Sequence, residues 1–435
     1  YGTLNFKIKI KLIILHIIVY FKFSLKTFWK NLGPGLVTGS SDDDPSGIAT
    51  YSQAGAQFGL TTLWTAFISF PLMAAVQEMC GRIGMVAGQG LSGTLKTYYP
   101  KPVLYLMIVF SFPAIVLNIG ANIAGMGAVG NLLFPAIDAN YFSVCFTVIL
   151  LVLIIYLPYQ KIAAVLKYLC LVLLFYIIVP FLYKQDVTAI LSNTFFPKIH
   201  FTKEYLATLV AILGTTISPY LFFWQATMSV EDLKHRKKKL VVNKKIIAEM
   251  RQDIDIGMLF SNIVMYFIIL TTGTVLFNAG IHQINTVEEA AQALKPLAGD
   301  AAYILFAIGI IGTGFLAIPV LSGALSYMIT EIFSWENGLD KKFHEAKAFY
   351  TIIIISLLLG LTINYIGISP INALIYAAIL YGLTAPVLIA IILHIANNKK
   401  VMGTFCNGIW SNILGGAAFL LMLASAVGLL LMYVF

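Results

Sequence analysis

The chain has 435 residues, of which 59% are hydrophobic and 11% charged, with a formal net charge of +9. A mean hydropathy of +0.88 excludes a soluble globular domain, and apolar runs of about 17–25 residues, in place of short alternating strands, exclude an outer-membrane barrel. The basic residues fall between those runs, so they orient a membrane protein and offer no nucleic-acid surface.

Residues 1–30 read as an N-terminal leader. The stretch Leu12-Ile13-Ile14-Leu15-His16-Ile17-Ile18-Val19 is apolar and flanked by lysines but too short for a comfortable span. It fits a signal-like core, an interfacial helix or a stretch foreign to the functional protein, and no functional role is assigned to it. The transmembrane domain then takes residues 31–435 and predicts eleven spans: 31–52, 61–83, 102–130, 142–158, 161–183, 205–229, 253–278, 300–331, 347–366, 369–395 and 409–434.

Alternate loops carry the positive charge. Lys26 and Lys30, then Arg82, Lys96 and Lys101, then Lys161 lie on one side, followed by the basic segment 231–252, Lys341, Lys342 and Lys347, and finally Lys399 and Lys400. The opposite loops are poor in basic residues or mixed with acids. The positive-inside rule then puts the N-terminus in the cytoplasm and the C-terminus outside the cell membrane. Cys80, Cys145, Cys170 and Cys406 are scattered without a Cys-x-x-Cys pair, which supports neither a thiolate metal site nor a disulfide framework.

The first span contains Asp42-Asp43-Asp44-Pro45-Ser46-Gly47. A carboxylate at membrane depth costs ~2.5–3.5 kcal/mol on insertion scales and survives where it faces a cavity or an ion path. The proline and glycine break the helix at the same depth, where irregular backbone is tolerated only inside protein or beside water. The sixth span carries a second interruption, Gly214-Thr215-Thr216-Ile217-Ser218-Pro219-Tyr220. Both breaks fall in the first helix of a five-helix set, which predicts inverted repeats over 31–183 and 205–395, an extra helix over 409–434, and a substrate held at the repeat interface. Half-helix ends there offer unpaired carbonyls and amides to an ion.

Gly33-Pro34-Gly35, the Asp44-Pro45 break, Gln53-Ala54-Gly55-Ala56-Gln57-Phe58-Gly59, Gly214 with Pro219, and Val401-Met402-Gly403 together resemble the NRAMP divalent-metal transporters from about residue 31 to the C-terminus. The resemblance implies an all-α LeuT-like fold with metal held between the broken first and sixth helices. The family's first motif reads Asp-Pro-Gly-Asn; here Asp44 keeps the metal-binding aspartate and Gly47 replaces the asparagine ligand. The sixth helix of the family reads Ala-Thr-Val-Met-Pro-His; here Thr215 replaces the alanine and Ser218 the methionine ligand. A thioether favours soft transition metals, whereas a hydroxyl is a hard donor and leaves more room. Mg²⁺ takes octahedral oxygen ligands and keeps several waters. The pattern resembles the NRAMP-related magnesium transporters, a divergent branch, and implies transported Mg²⁺, with Mn²⁺ as a second substrate and no cofactor.

The family's two histidines after the sixth-helix proline stand here as Tyr220 and Gln225, and its acidic third helix shows only Asn118, Asn122 and apolar neighbours. Tyrosine and asparagine carry no proton near neutral pH. Uptake without proton coupling follows, driven by the membrane potential at ~4.6 kcal/mol per 100 mV for a divalent ion.

The candidate metal site thus comprises Asp44, Gly47, Thr215 and Ser218, with the Ser41 carbonyl at the unwinding and Asp43 as an outer partner through water. Consecutive helical side chains point about 100° apart, so Asp42, Asp43 and Asp44 do not all face one ion. Glu78 and Glu331 read as interhelical or interfacial charges, and Asp253 and Asp255, opening the seventh span beside Arg251, as capping or gate residues. Asn122 and Asn262 are candidates for bonds between helices. The six histidines are dispersed and form no cluster. Two alternatives remain beside Mg²⁺ uptake: a proton-coupled Mn²⁺/Fe²⁺ transporter, and an amino-acid or organic-cation transporter on the same fold with Asp44 holding an ammonium group. Three consecutive acids, which repel a zwitterion's carboxylate, stand against the last. An enzyme is not expected, since no span carries a catalytic constellation. The oligomeric state is not legible.

Overall fold

The computed structural model describes residues 34–157, 173–235, 242–365 and 367–434, and every regular element among them is helical. The principal helices are α1 (Pro34–Asp42), α2 (Pro45–Phe58), α3 (Trp64–Ala87), α4 (Leu91–Tyr98), α5 (Lys101–Leu133), α6 (Ala139–Tyr156), α7 (Val187–Phe195), α8 (Lys203–Thr216), α9 (Pro219–His235), α10 (Lys244–Val275), α11 (Ala302–Phe333), α12 (Lys347–Ile363), α13 (Pro370–Asn397) and α14 (Ile409–Val434).

Seven described helical segments are long and apolar enough to cross a bilayer: α5, α6, α8 with α9, α10, α11, α13 and α14. Helices α2 and α3 pass the same test as a pair bent by 107°, and they cover the expected first and second spans together with α1. The expected ninth span appears as α12, an apolar helix of 17 residues. Most of the expected fifth span, the leader 1–30 and the basic residues 236–241 lie outside the described residues.

Boundaries follow local chemistry. Asp138, Asp186, Thr202, Asn243 and Ser369 each cap the helix that follows with a side-chain oxygen on an early backbone amide. Pro370 then occupies the first turn of α13, where its missing N–H costs nothing. The cap at Asn243 starts α10 nine residues before the seventh span expected from hydropathy. Asp253 and Asp255 therefore lie well inside a helix and do not open it, because Lys244–Met250 is too polar to score as membrane yet continues the same helix.

The two interrupted helices lie innermost. The most apolar window of α8 with α9 is 94% buried, against 22% for α6 and 33% for α14. Tyr141, Val148 and Val152 of α6 and Trp410 and Leu420 of α14 are exposed, an apolar outer surface suited to lipid. Close backbone approach holds the centre together. A methyl group at Gly39 of α1 would strike the Gly257 backbone of α10, and one at Gly214 of α8 would strike the Ala378 and Gly382 backbones of α13. Small residues allow such contacts in membranes, where dispersion and not water exclusion drives helix pairing.

Candidate metal centre

The first break follows from its sequence. A residue before proline avoids the α region, and aspartate is among the best N-caps. Asp44 accordingly leaves the helix (φ −70°, ψ 171°) and caps α2, accepting from the Gly47 amide at 2.8 Å and from Ser46 Oγ at 2.7 Å, both on Oδ1. The second break has the same logic. Ile217 turns out of α8 (φ −104°, ψ 60°) and Pro219 opens α9. Ser218, between them, donates its hydroxyl back to the Gly214 carbonyl at 3.2 Å and to that of Thr215.

Hydrogen bonds join the two broken helices. Ser46 Oγ meets Thr215 Oγ1 at 3.3 Å, and the Tyr51 hydroxyl meets Thr216 Oγ1 at 3.0 Å. The Tyr220 hydroxyl donates to the Ser41 carbonyl at 2.8 Å, and Thr38 Oγ1 donates to Gln225 Oε1 at 2.9 Å. The Ser41 carbonyl therefore faces Tyr220, while its hydroxyl donates to the Val37 carbonyl at 2.7 Å.

The three carboxylates diverge. Asp44 Oδ2 accepts from Asn118 Nδ2 at 3.0 Å and from Asn122 Nδ2 at 2.9 Å, both on α5. Asp42 and Asp43 point to α10 instead, where the Ser261 hydroxyl lies 2.9 Å from Asp42 Oδ2 and 3.2 Å from Asp43 Oδ1. One hydroxyl has one proton and serves one of them at a time. Among the described residues no three His, Cys, Asp or Glu side chains converge as a ligand cluster, in keeping with this divergence.

The centre is closed to solvent: Asp42, Asp43 and Ser41 are 0% exposed and Asp44 and Ser218 1%. None of the three aspartates takes part in an ion pair among the described residues. Burying a charge without a partner is strongly unfavourable. Four buried oxygens, Asp42 Oδ1, Asp43 Oδ2, Asn118 Oδ1 and Asn122 Oδ1, also have no hydrogen-bond partner among the described residues. Such an oxygen-rich cluster offers the donor type that hard divalent cations bind. The Met265 sulfur of α10 accepts from Thr216 Oγ1 at 3.6 Å, beside the second break.

The structure thus brings Asp44, Gly47, Thr215 and Ser218 to the junction of the breaks, with Ser41 turned to Tyr220 and Asp43 turned to Ser261. Sequence reasoning noted Asn118 and Asn122 for the acids they replace and Asn122 also as a candidate for a bond between helices, but it assigned neither to Asp44; their spacing of one turn on a single face of an apolar helix was the usable signal. It missed Ser46 and Ser261 altogether. Glu78, Glu331 and Asp253 bond to protein groups outside the breaks. Glu78 pairs with Arg82 at 2.9 Å, and Arg82 reaches the Phe405 carbonyl at 2.6 Å, fastening α3 to the segment before α14. Glu331 accepts from the Gly90 and Gly93 amides at 3.1 and 2.9 Å, capping α4. Asp253 accepts from the Gly35 amide at 2.6 Å at the start of α1, and Asn262 accepts from Ser69 of α3 at 2.9 Å.

The family model for natural resistance-associated macrophage protein-like (Nramp) sequences matches residues 35–432. The chain belongs to the Nramp family. Among similar curated proteins is the divalent metal cation transporter MntH of Caldanaerobacter subterraneus, 24% identical over 404 residues that cover 91% of each chain. The protein of the same name from Staphylococcus saprophyticus is 26% identical, covering 90% of this chain and 89% of its own. A solved structure of the Eremococcus coleocola manganese transporter superposes with a TM-score of 0.69 at 18% identity, over 92% of this chain and 88% of its own. Mhp1, a nucleobase-cation-symport-1 family transporter, follows at a TM-score of 0.53 and 12% identity, over 92% and 91%. This Nramp chain is therefore a multi-pass membrane protein with the LeuT-like fold that the family resemblance implied.

Proposed function

We propose that this Nramp protein is a secondary transporter of a hard divalent cation, with Mg²⁺ the preferred cargo and Mn²⁺ a second substrate. The observation that carries the reading is the buried centre where two broken helices meet: three carboxylates without an ion pair among the described residues, and four oxygens without hydrogen bonds. The names of the similar MntH and manganese transporters support divalent-metal transport. The donor set supports Mg²⁺ within that class.

Asp44 supplies the anchoring charge. Ser218 presents a hydroxyl where a thioether would select soft ions, and Gly47 brings no side-chain donor to a tight spot where a Cβ would lie 3.2 Å from the Asp42 carbonyl oxygen and 3.5 Å from Thr215 Oγ1. The Ser41 carbonyl and the Asp43 carboxylate complete the polar wall, the latter through water. In this reading residues 31–183 and 205–395 move as inverted repeats around the fixed site, with the N-terminus cytoplasmic and the C-terminus outside.

Movement occurs without protons in this reading, because Tyr220, Gln225, Asn118 and Asn122 stand where the family pattern carries its titratable groups. The amino-acid alternative requires a cationic partner for a substrate carboxylate, and none accompanies these aspartates among the described residues. The proposal is tested by uptake of Mg²⁺, Mn²⁺ and Ca²⁺ into proteoliposomes. Mg²⁺ is expected to enter and to compete with Mn²⁺; exclusion of Mg²⁺ with entry of Mn²⁺ would overturn the assignment of cargo.

A further inference from the structure

Asn118 and Asn122 stand one turn apart on α5, fully buried, and both aim their amide nitrogens at a single atom, Asp44 Oδ2. Their own carbonyl oxygens have no hydrogen-bond partner among the described residues. A primary amide is neutral and carries donor and acceptor on one planar fork, so half a rotation about its last bond exchanges the two. We propose that Asn118 and Asn122 form a reversible amide clamp, donating to Asp44 in the ion-free site and rotating to become oxygen ligands when a hard divalent cation binds there. The inference rests on the reading of Asp44 as a cation site.

The physical argument is one of sign. A cation at Asp44 would meet two N–H groups directed at the same carboxylate oxygen, and their positive hydrogens oppose it. Rotation of both amides removes that opposition and adds two oxygens to the coordination sphere. Without the ion, the rotated amides would place oxygen against carboxylate oxygen, which is repulsive. The ion therefore selects the rotated state and its departure restores the donors.

The test separates oxygen from nitrogen. Mg²⁺ binding to the full-length protein is measured calorimetrically with MgCl2 for the wild type, for Asn118→Leu and Asn122→Leu, and for Asn118→Asp and Asn122→Asp. The leucine variants lose both functions and are expected to weaken Mg²⁺ binding by roughly tenfold or more. The aspartate variants keep the oxygen and lose the donor, and are expected to bind at least as tightly as the wild type. Equal loss in leucine and aspartate variants would show that the amides only hold Asp44 in place, and wild-type affinity in the leucine variants would show that they do not touch the ion; either result overturns the clamp. Absence of Mg²⁺ and Mn²⁺ binding by the wild type would instead overturn the functional reading beneath it. Should a variant fail to fold, infrared difference spectra of wild-type protein with ¹³C-labelled asparagine provide a second measurement. A shift of the side-chain carbonyl band on adding MgCl2 is expected, and an unchanged band contradicts the proposal.

Discussion

At the scale of single residues, Asp44 joins two roles that pull against each other. As the cap of α2 it accepts from Gly47 and Ser46, and as the anionic centre it accepts from two asparagines. Asp44→Ala removes the cap, at a cost of about 1 kcal/mol, and also the charge. The expected outcome is a folded protein, monodisperse in detergent, without measurable calorimetric binding of Mg²⁺ or Mn²⁺. A second substitution addresses selectivity. Ser218→Met with Gly47→Asn restores the donors of the family pattern and is expected to shift preference toward Mn²⁺ and Cd²⁺, read as Cd²⁺ competition against Mg²⁺ binding. A Cβ at position 47 would sit 3.2 Å from the Asp42 carbonyl oxygen, so the asparagine fits only if that carbonyl gives by a few tenths of an ångström, and the shift should be smaller without the methionine. The breaks were legible at this scale because aspartate before proline has few other conformations. The partners of Asp44 were not, because which helix face turns to the break is decided by packing among α5, α11 and α13 and leaves no local mark.

At the scale of elements, the broken helices depend on backbone contact as much as on polar links. Gly39→Ala places a methyl group against the Gly257 backbone, where no flexible side chain can yield. Overpacking of this kind costs typically about 1–3 kcal/mol. Thermal unfolding in detergent should show the loss, with Gly416→Ala, which meets nothing within 4 Å, unchanged. Helix type and order were readable from hydropathy, since long apolar runs admit little else in a bilayer. The start of α10 was not, because its first turns carry Lys244, Lys245, Glu249 and Arg251 and extend past the apolar segment. The Asn243 cap was the available signal. Glu331 shows the same limit: its bonds to Gly90 and Gly93 of α4 join residues more than two hundred positions apart.

At the scale of the whole molecule, the account turns on how an ion-free, buried carboxylate is tolerated during transport. A proton-coupled carrier neutralises it with a proton, and the ion gradient and the proton gradient are then linked. Here two asparagine amides donate to Asp44, and in the proposed reading Tyr220 and Gln225, bonded to Ser41 and Thr38, replace the family's histidines. Transport should then respond to membrane potential, which contributes ~4.6 kcal/mol per 100 mV for a divalent ion, twice the single-charge value. The direct measurement is Mg²⁺ uptake into proteoliposomes under an imposed inside-negative potential, with a trapped pH dye reporting protons in the same vesicles. The account predicts Mg²⁺ entry that rises with potential and leaves internal pH at the level of Asp44→Ala vesicles. Metal-dependent acidification at near one proton per ion would contradict it.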